Sequence, residues 1–354
     1  MTVVLPANDM AARLDALLNN VQILSAAQFR MADGPVLEVA KFAAMPRAAR
    51  NGAVGDAVLP LRDSLATAIY MCGYSRVYAG GACSFQQWER TLEPDAAFLA
   101  SLAAANPTLT GWEPGWKVFQ LEPHGAVHVQ KGDRAILAQP GMFAFPAGGG
   151  RAALAGDFVD LLIARDSLSQ QVGRYFAFGQ TIGGDYDLAR IARFYFNAPS
   201  EQAAWLLKTI GGLFNRYFIA YRCKCSVDPK AFDCADSIVF YVARRFLPAA
   251  LRLLLPLADE LEGRLRPGTP LFSKPLLNGL GVADDPGTGE SFGQTRSRLV
   301  ADGIVDAWLG GSSDAVRRRE AVAARFQRSR LSMTDSHLRS GLVDLYAWPA
   351  EGSA

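Results

Sequence analysis

Two strand-like runs carry cations where an apolar strand would normally exclude them. In 188–196, alternation puts Arg193 on one face with Ile191 and Tyr195. In 217–225 it puts Arg222 and Lys224 together, with Tyr221, Cys223 and Cys225 on the opposite face. An unpaired charge in an apolar layer is costly, so such cations indicate a bound anion or a strand edge with solvated ends. A third segment, 289–296, opens a helix. Ser291 suits its N-cap, and the amides that follow, Gly293 among them, favour an anion together with the helix dipole. Arg296 lies a little over one turn in and would add a charge-assisted bond to the same anion. The plain counterpart is a capped helix with a surface Arg. Lys274 adds a cation on another expected strand.

Other chemistries find less support. His124 and His128 have no third ligand nearby, Cys223 and Cys225 have no second pair at zinc-finger spacing, and no metal or cofactor is expected. Asp284 and Asp285, before a Pro-Gly, read as an exposed turn. The arginines 317–319, 325, 328 and 330 read as a solvated helix face. Phosphate-loop, dinucleotide and serine-hydrolase fingerprints are absent.

These residues need a scaffold, and 354 residues, half of them apolar, suffice for a sizeable core. Lys plus Arg number 36 against 34 Asp plus Glu; that balance of +2 argues against a nucleic-acid partner. Five Cys do not make a disulfide framework, and the thiols are expected to be reduced and mostly buried. The start carries Asp9 and lacks a basic-then-apolar leader, and the greasiest run, 246–257, is interrupted by Pro248, Arg252 and Pro256. A cytoplasmic protein with no membrane partner is expected.

Patterning predicts helices over 10–24, 62–78 and 94–105, then short strands at 116–121, 126–130 and 135–138 joined by hairpin turns. Beyond a Gly-rich linker at 146–150, strands are expected at 158–164, 174–178, 188–196, 217–225 and 237–242. Helices are expected at 200–213, 248–265, 292–309 and 314–328. The fold class is α+β: a helical N-terminal part, a small β-meander, then a largely antiparallel sheet flanked by helices. The corresponding regions are 1–105 helical, 106–150 hairpin or meander, 151–345 core with the site, and 346–354 tail.

Several blocks, in order, resemble the HopA-type family, which takes its name from a type III secretion effector of plant-pathogenic bacteria. They are Asn106 with 115–118, Tyr175 to Gly179, Arg193 to Asn197, and Lys224 with Asp228, Pro229, Phe232, Asp236, Phe240 and Tyr241. The last is Ala283 to Pro286 with Ser291, Phe292, Gly293 and Arg296. HopA-like members act in the biosynthesis of class V lanthipeptides and thioamitides, beside an aminoglycoside-phosphotransferase-like kinase. The resemblance implies a lyase that eliminates phosphate from phosphoserine or phosphothreonine of a ribosomal precursor peptide, giving dehydroalanine or dehydrobutyrine. The implied partners are that phosphopeptide and the kinase.

Under that implication, Lys224 is the base or the main phosphate ligand, and Lys274 takes the other role. Arg193, Arg222 and Arg296, with Ser291 and the Gly293 amide, hold the phosphate. Tyr195, Tyr241 or a histidine serves as acid, and Asp236 orients a cation. A Lys acts as base only where burial or neighbouring cations lower its pKa from about 10.4. One position departs from the family pattern: Cys234 stands where an Arg is usual, two residues before Asp236. The alternative reading is a non-catalytic protein, an effector or assembly subunit, that binds a phosphopeptide or a partner protein.

Overall fold

The computed structural model describes residues 9–41, 57–78, 80–83, 85 and 91–348. The first eight residues of the expected leaderless start, and 349–354 of the expected tail, lie outside them. Asp9 caps α1 (Met10–Asn20), its carboxylate accepting from the Ala12 amide at 2.9 Å. The helix stops four residues earlier than the periodicity predicts. The β-branched Val21 and Ile23 instead open β1 (Val21–Ser25), which pairs with β2 (Gln28–Met31) and then β3 (Leu37–Glu38) in a three-stranded sheet. Next, α2 (Leu59–Ile69) runs into a single π-helical turn, Tyr70–Tyr74. Gly73 lets that turn approach α1: a Cβ there would lie 2.7 Å from Leu17. Cys72 in this turn is joined to Cys83 in a disulfide, so these two are not the buried thiols expected.

Asp95 caps α3 (Ala96–Ala105). A five-stranded antiparallel sheet follows from β4 (Gly111–Leu121), β5 (Val127–Lys131), β6 (Arg134–Ala138), β7 (Phe143–Ala144) and β8 (Phe158–Ile163). The expected linker at 146–150 connects β7 to β8, which returns to pair with β4.

The remaining strands form one seven-stranded sheet. They are β9 (Asp166–Ser167), β10 (Arg174–Phe178), β11 (Ile191–Phe196), β12 (Tyr221–Ser226), β13 (Ile238–Ala243), β14 (Lys274–Leu277) and β15 (Leu280–Asp284). Their order is β14-β15-β11-β13-β12-β10-β9, and every pairing is antiparallel. Two strands are shorter than expected. Residues Asp185–Ala189 form a short helix, α4, ahead of β11. Residues up to Arg216 continue α5 (Ala203–Arg216), which ends before Phe218 takes a left-handed conformation, φ 56°.

Helices cover both faces of this sheet. On one side lie α3, α5, α6 (Leu247–Leu254) and α7 (Ala258–Arg264), packed on Phe194, Phe196, Cys223, Phe240 and Val242. Leu206, Leu207, Ile210 and Phe214 of α5 recur at helical spacing and are fully or almost fully buried there. The other side carries α1, α2, α8 (Phe292–Leu309) and α9 (Ala315–Arg328), packed on Ile191, Tyr195, Val239 and Tyr241. Helices α8 and α9 touch at Gly303, where a Cβ would sit 2.5 Å from the Val322 backbone. The basic face of α9 is partly internal: Arg318 is buried and donates to the carbonyls of Leu18 and Val21, while Arg325 pairs with Asp306. Its guanidinium satisfies the open end of α1, which solvent would otherwise have to do. Among the described residues no helix is long and apolar enough to cross a membrane.

Candidate functional site

The α8-side face of the seven-stranded sheet is not wholly covered. A cavity of about 700 Å³ opens over β10, β12 and β13, closed by the π turn and the entry to α8. Register decides which side chains enter it. Arg193, Tyr241 and Arg222 are cross-strand neighbours in one row over β11, β13 and β12. Lys224 is one pair further along β12, opposite Val239 on one side and Phe176 on the other. The three cations surround a single ring. Arg222 lies 5.0 Å, Arg193 5.2 Å and the Lys224 ammonium 5.9 Å from the Tyr241 centroid.

This surrounding acts on the phenol. Burial would raise the Tyr241 pKa. The charges of Lys224, Arg193 and Arg222, with a hydrogen bond from Lys224, outweigh burial and hold it below its ordinary value of 10.0. Arg193 is itself anchored: its Nε donates to Asp285 Oδ2 at 3.0 Å and its terminal nitrogen contacts the same oxygen. Asp285 is thereby a partner of the site, while its Oδ1 accepts from the Gly287 amide at 2.8 Å in the exposed turn expected there. Asp284 is fully buried, accepting from Arg244 at 2.8 Å and the Tyr346 hydroxyl at 2.7 Å.

Arg174, Arg76 and Lys230 also line the cavity, and none of them stood out in the sequence. Arg174 enters because β10 pairs with β12 so that Arg174, Phe176, Ser226 and Lys224 share a face. Among the described residues Arg174, Arg222, Lys224 and Lys230 have no carboxylate partner. The wall is thus rich in uncompensated positive charge. Facing it are Asp233, Asp236 and Glu290. Asp236 accepts from the Ser75 hydroxyl at 3.3 Å and pairs with no cation among the described residues, so it does not orient one as expected. Cys234 lies in the wall, where burial, with Asp236 nearby, pushes its thiol well up. Arg174 acts electrostatically on that thiol, which places a cation beside the position where the family pattern has an Arg.

Four expected site residues lie elsewhere or are otherwise engaged. Lys274 pairs with Val282, and so falls in the row with Phe194 and Phe240 on the opposite face of the sheet. There it donates to Asp344 at 2.6 Å. Arg296 is 2% exposed and donates to the carbonyls of Ser336 and Leu338 at 2.7 and 2.8 Å. Burial draws its pKa down to about 10. Tyr195 is sealed beneath the cavity, edge-on to Tyr74 at 6.1 Å. Gly293 packs on that same Tyr74 ring, with room for no Cβ. Ser291 does reach the wall. It forms a capping box with Gln294, each side chain accepting from the other's amide, so two amides expected to face an anion are already bonded. Among the described residues no three His, Cys, Asp or Glu side chains are grouped to hold a metal ion.

The architecture and site define an α+β protein with a phenol-centred cationic cavity on one face of an antiparallel sheet. The chain belongs to the HopA1 effector protein family, whose model matches residues 165–345 and so takes in that sheet and most of the cavity. Two solved structures are similar. One is the effector protein from Pseudomonas syringae pv. tomato strain DC3000, 17% identical over 49% of this chain and 65% of that one, TM-score 0.38. The other is the effector protein from Pseudomonas syringae pv. syringae strain 61, 15% identical over 77% of this chain and 88% of that one, TM-score 0.41. No curated protein matches the chain.

Proposed function

We propose that this chain is a lyase that eliminates phosphate from phosphoserine or phosphothreonine of a ribosomally made precursor peptide. The products are dehydroalanine or dehydrobutyrine, and a phosphotransferase-like kinase supplies the phosphopeptide. The observation that carries the reading is the set of cations without carboxylate partners among the described residues, Arg174, Arg222, Lys224 and Lys230, in the wall of one cavity. Arg174, Arg222 and Lys224 are half-buried, and leaving such charge unpaired is costly unless a ligand completes it; Lys230 is exposed at the rim. A phosphorylated side chain brings about 1.5–2 negative charges and three acceptor oxygens, which suits several Arg and Lys donors at once.

The chemistry asks for three things. A base takes the Cα proton; the C–H electron pair becomes the Cα–Cβ double bond; the Cβ–O bond breaks and the phosphate leaves with its electrons. Arg174, Arg222 and Lys230 hold the phosphate and stabilise the charge it gains on leaving. Lys224 and Tyr241, with the ammonium 5.9 Å from the ring centre, are the groups of the wall equipped to move a proton.

Incubation of the protein with a phosphorylated peptide, read by mass spectrometry, tests this. Elimination removes the elements of phosphoric acid and leaves an alkene that an added thiol captures. A phosphopeptide that is bound and released unchanged would mean a binding protein, the effector-like alternative.

A further inference from the structure

We infer that Tyr241 is the general base of this cavity, taking the Cα proton as a phenolate held by Arg193, Arg222 and Lys224. This rests on the lyase reading above and replaces the expectation of a lysine base.

The geometry is specific to this residue. Tyr241 sits on β13, with β11 and β12 on either side, so its two cross-strand neighbours, Arg193 and Arg222, flank it in register. Lys224 occupies a diagonal position on β12, within reach across the sheet. Arginine does not give up its proton in a protein, so two of the three charges are fixed. With those charges fixed, losing the phenol proton relieves the crowding of like charge, because it puts an anion among three cations. The titratable groups that line the cavity with Tyr241 are Arg193 from β11, Arg222 and Lys224 from β12, Arg174 from β10, Tyr70 and Arg76 in and after the π turn, Lys230, Asp233, Cys234 and Asp236 between β12 and β13, and Glu290 at the entry to α8; Tyr195 shares the face of β11. Of the carboxylates near it, Asp285 is spent on Arg193, Asp233 lies 3.8 Å from Arg266, and Asp236 accepts from the Ser75 hydroxyl. Glu290 is spent on Arg298, 2.9 Å away. Tyr195, on the same face of the neighbouring strand, has no such access, being closed off by Tyr74.

The shared cations have a kinetic consequence. A phosphate that binds Arg222 withdraws part of its stabilisation from the phenolate, making it a stronger base when substrate is in place. In the step itself the phenolate oxygen takes the Cα hydrogen as a proton, and the C–H pair becomes the double bond. The Cβ–O pair leaves with the phosphate. Tyr241, now a phenol, returns its proton to solvent or to the departing phosphate.

Two measurements on the full chain decide the matter. The first is titration of the tyrosinate ultraviolet band in wild type and in Tyr241→Phe, without and with inorganic phosphate. One tyrosine should ionise below the others, be missing from the variant, and move to higher pH when phosphate is added. The second is elimination from a phosphopeptide. Tyr241→Phe should lose about 10²- to 10⁴-fold in rate while phosphopeptide affinity changes less than about threefold. Circular dichroism of the variant should match wild type, since only a hydroxyl is lost. No early-ionising tyrosine, or a variant that eliminates at the wild-type rate, overturns the assignment and leaves the lyase reading standing. Wild-type protein that binds the phosphopeptide without cleaving it overturns both. The spectral titration would then still report the ionising phenol.

Discussion

Arg222 and Arg296 looked equivalent in the sequence, and the fold gives them opposite duties, which a pair of alanine variants should separate. Arg222 lines the cavity with no carboxylate partner among the described residues. Its loss should remove one charge-assisted bond to phosphate, about 1.5–3 kcal/mol. At 1.4 kcal/mol per decade, Arg222→Ala should weaken phosphopeptide binding by about 10- to 100-fold. Thermal stability should barely move, because no buried acceptor is left behind. Arg296→Ala should do the reverse. It strands the carbonyls of Ser336 and Leu338, each an unmet acceptor costing about 1–3 kcal/mol. Its melting temperature should fall while affinity, measured well below that temperature, stays near wild type. Fluorescence anisotropy with a labelled phosphopeptide and its unphosphorylated twin gives the affinities, and the Arg222 effect should shrink in about 1 M salt. Unchanged affinity in Arg222→Ala, or a binding defect at full stability in Arg296→Ala, would refute the placement of the phosphate.

Three further outcomes follow from the packing. Asp284→Ala leaves the largely buried Arg244 guanidinium without its carboxylate and should cost about 3–5 kcal/mol in urea unfolding. Tyr346→Phe, which removes one hydrogen bond to that carboxylate, should cost less. Gly303→Ala forces a methyl against the Val322 backbone and should destabilise by about 1–3 kcal/mol or more, with the urea midpoint moving and the slope unchanged. Burial alone would raise the Asp306 pKa, but Arg325 and Arg62 overcome this and hold it below 3.8. Its contribution to stability is therefore present above the unfolded carboxylate pKa and is lost as the pH falls through the folded one. Unfolding measured at about pH 6 and about pH 3 should show a smaller acid loss in Asp306→Asn than in wild type.

The sheet and the faces of its strands were legible in the sequence because period-two alternation is a local signal. Arg222 and Lys224 do share one face of β12, as alternation required, whereas Arg193 joins them because β13 pairs with both β11 and β12. Partners across strands are not local. That Lys274 belongs to the other face depends on its pairing with Val282, and that Arg174 belongs to the site depends on β10 lying beside β12. Neither can be read from either strand alone. Tyr241 was visible as one aromatic in a family block, but its three cations come from two other strands. Asp284 and Asp285 misled for a similar reason. Two acids before a Pro-Gly have the composition of a solvated turn; Asp285 does cap one, but Arg193 also draws it to the site, and Arg244 and Tyr346, from distant segments, make Asp284 internal. Two helix starts fared differently: Asp9 and Ser291 announce their caps within three residues.

The strand order bears on how the protein is made. β11 is synthesised before both of its neighbours, β13 and β15, and the cavity over it also needs the turn at Tyr70 and the α8 entry at Ser291. A growing chain on the ribosome therefore holds Arg193 long before Asp285 emerges to meet it. Assembly by such distant pairings is slow relative to local helix formation. Until α8 is complete, an apolar sheet face studded with arginines stays open to water and to neighbouring chains. Chaperone dependence during synthesis, and a refolding rate far below that of a helical bundle of equal stability, are the behaviours this topology imposes.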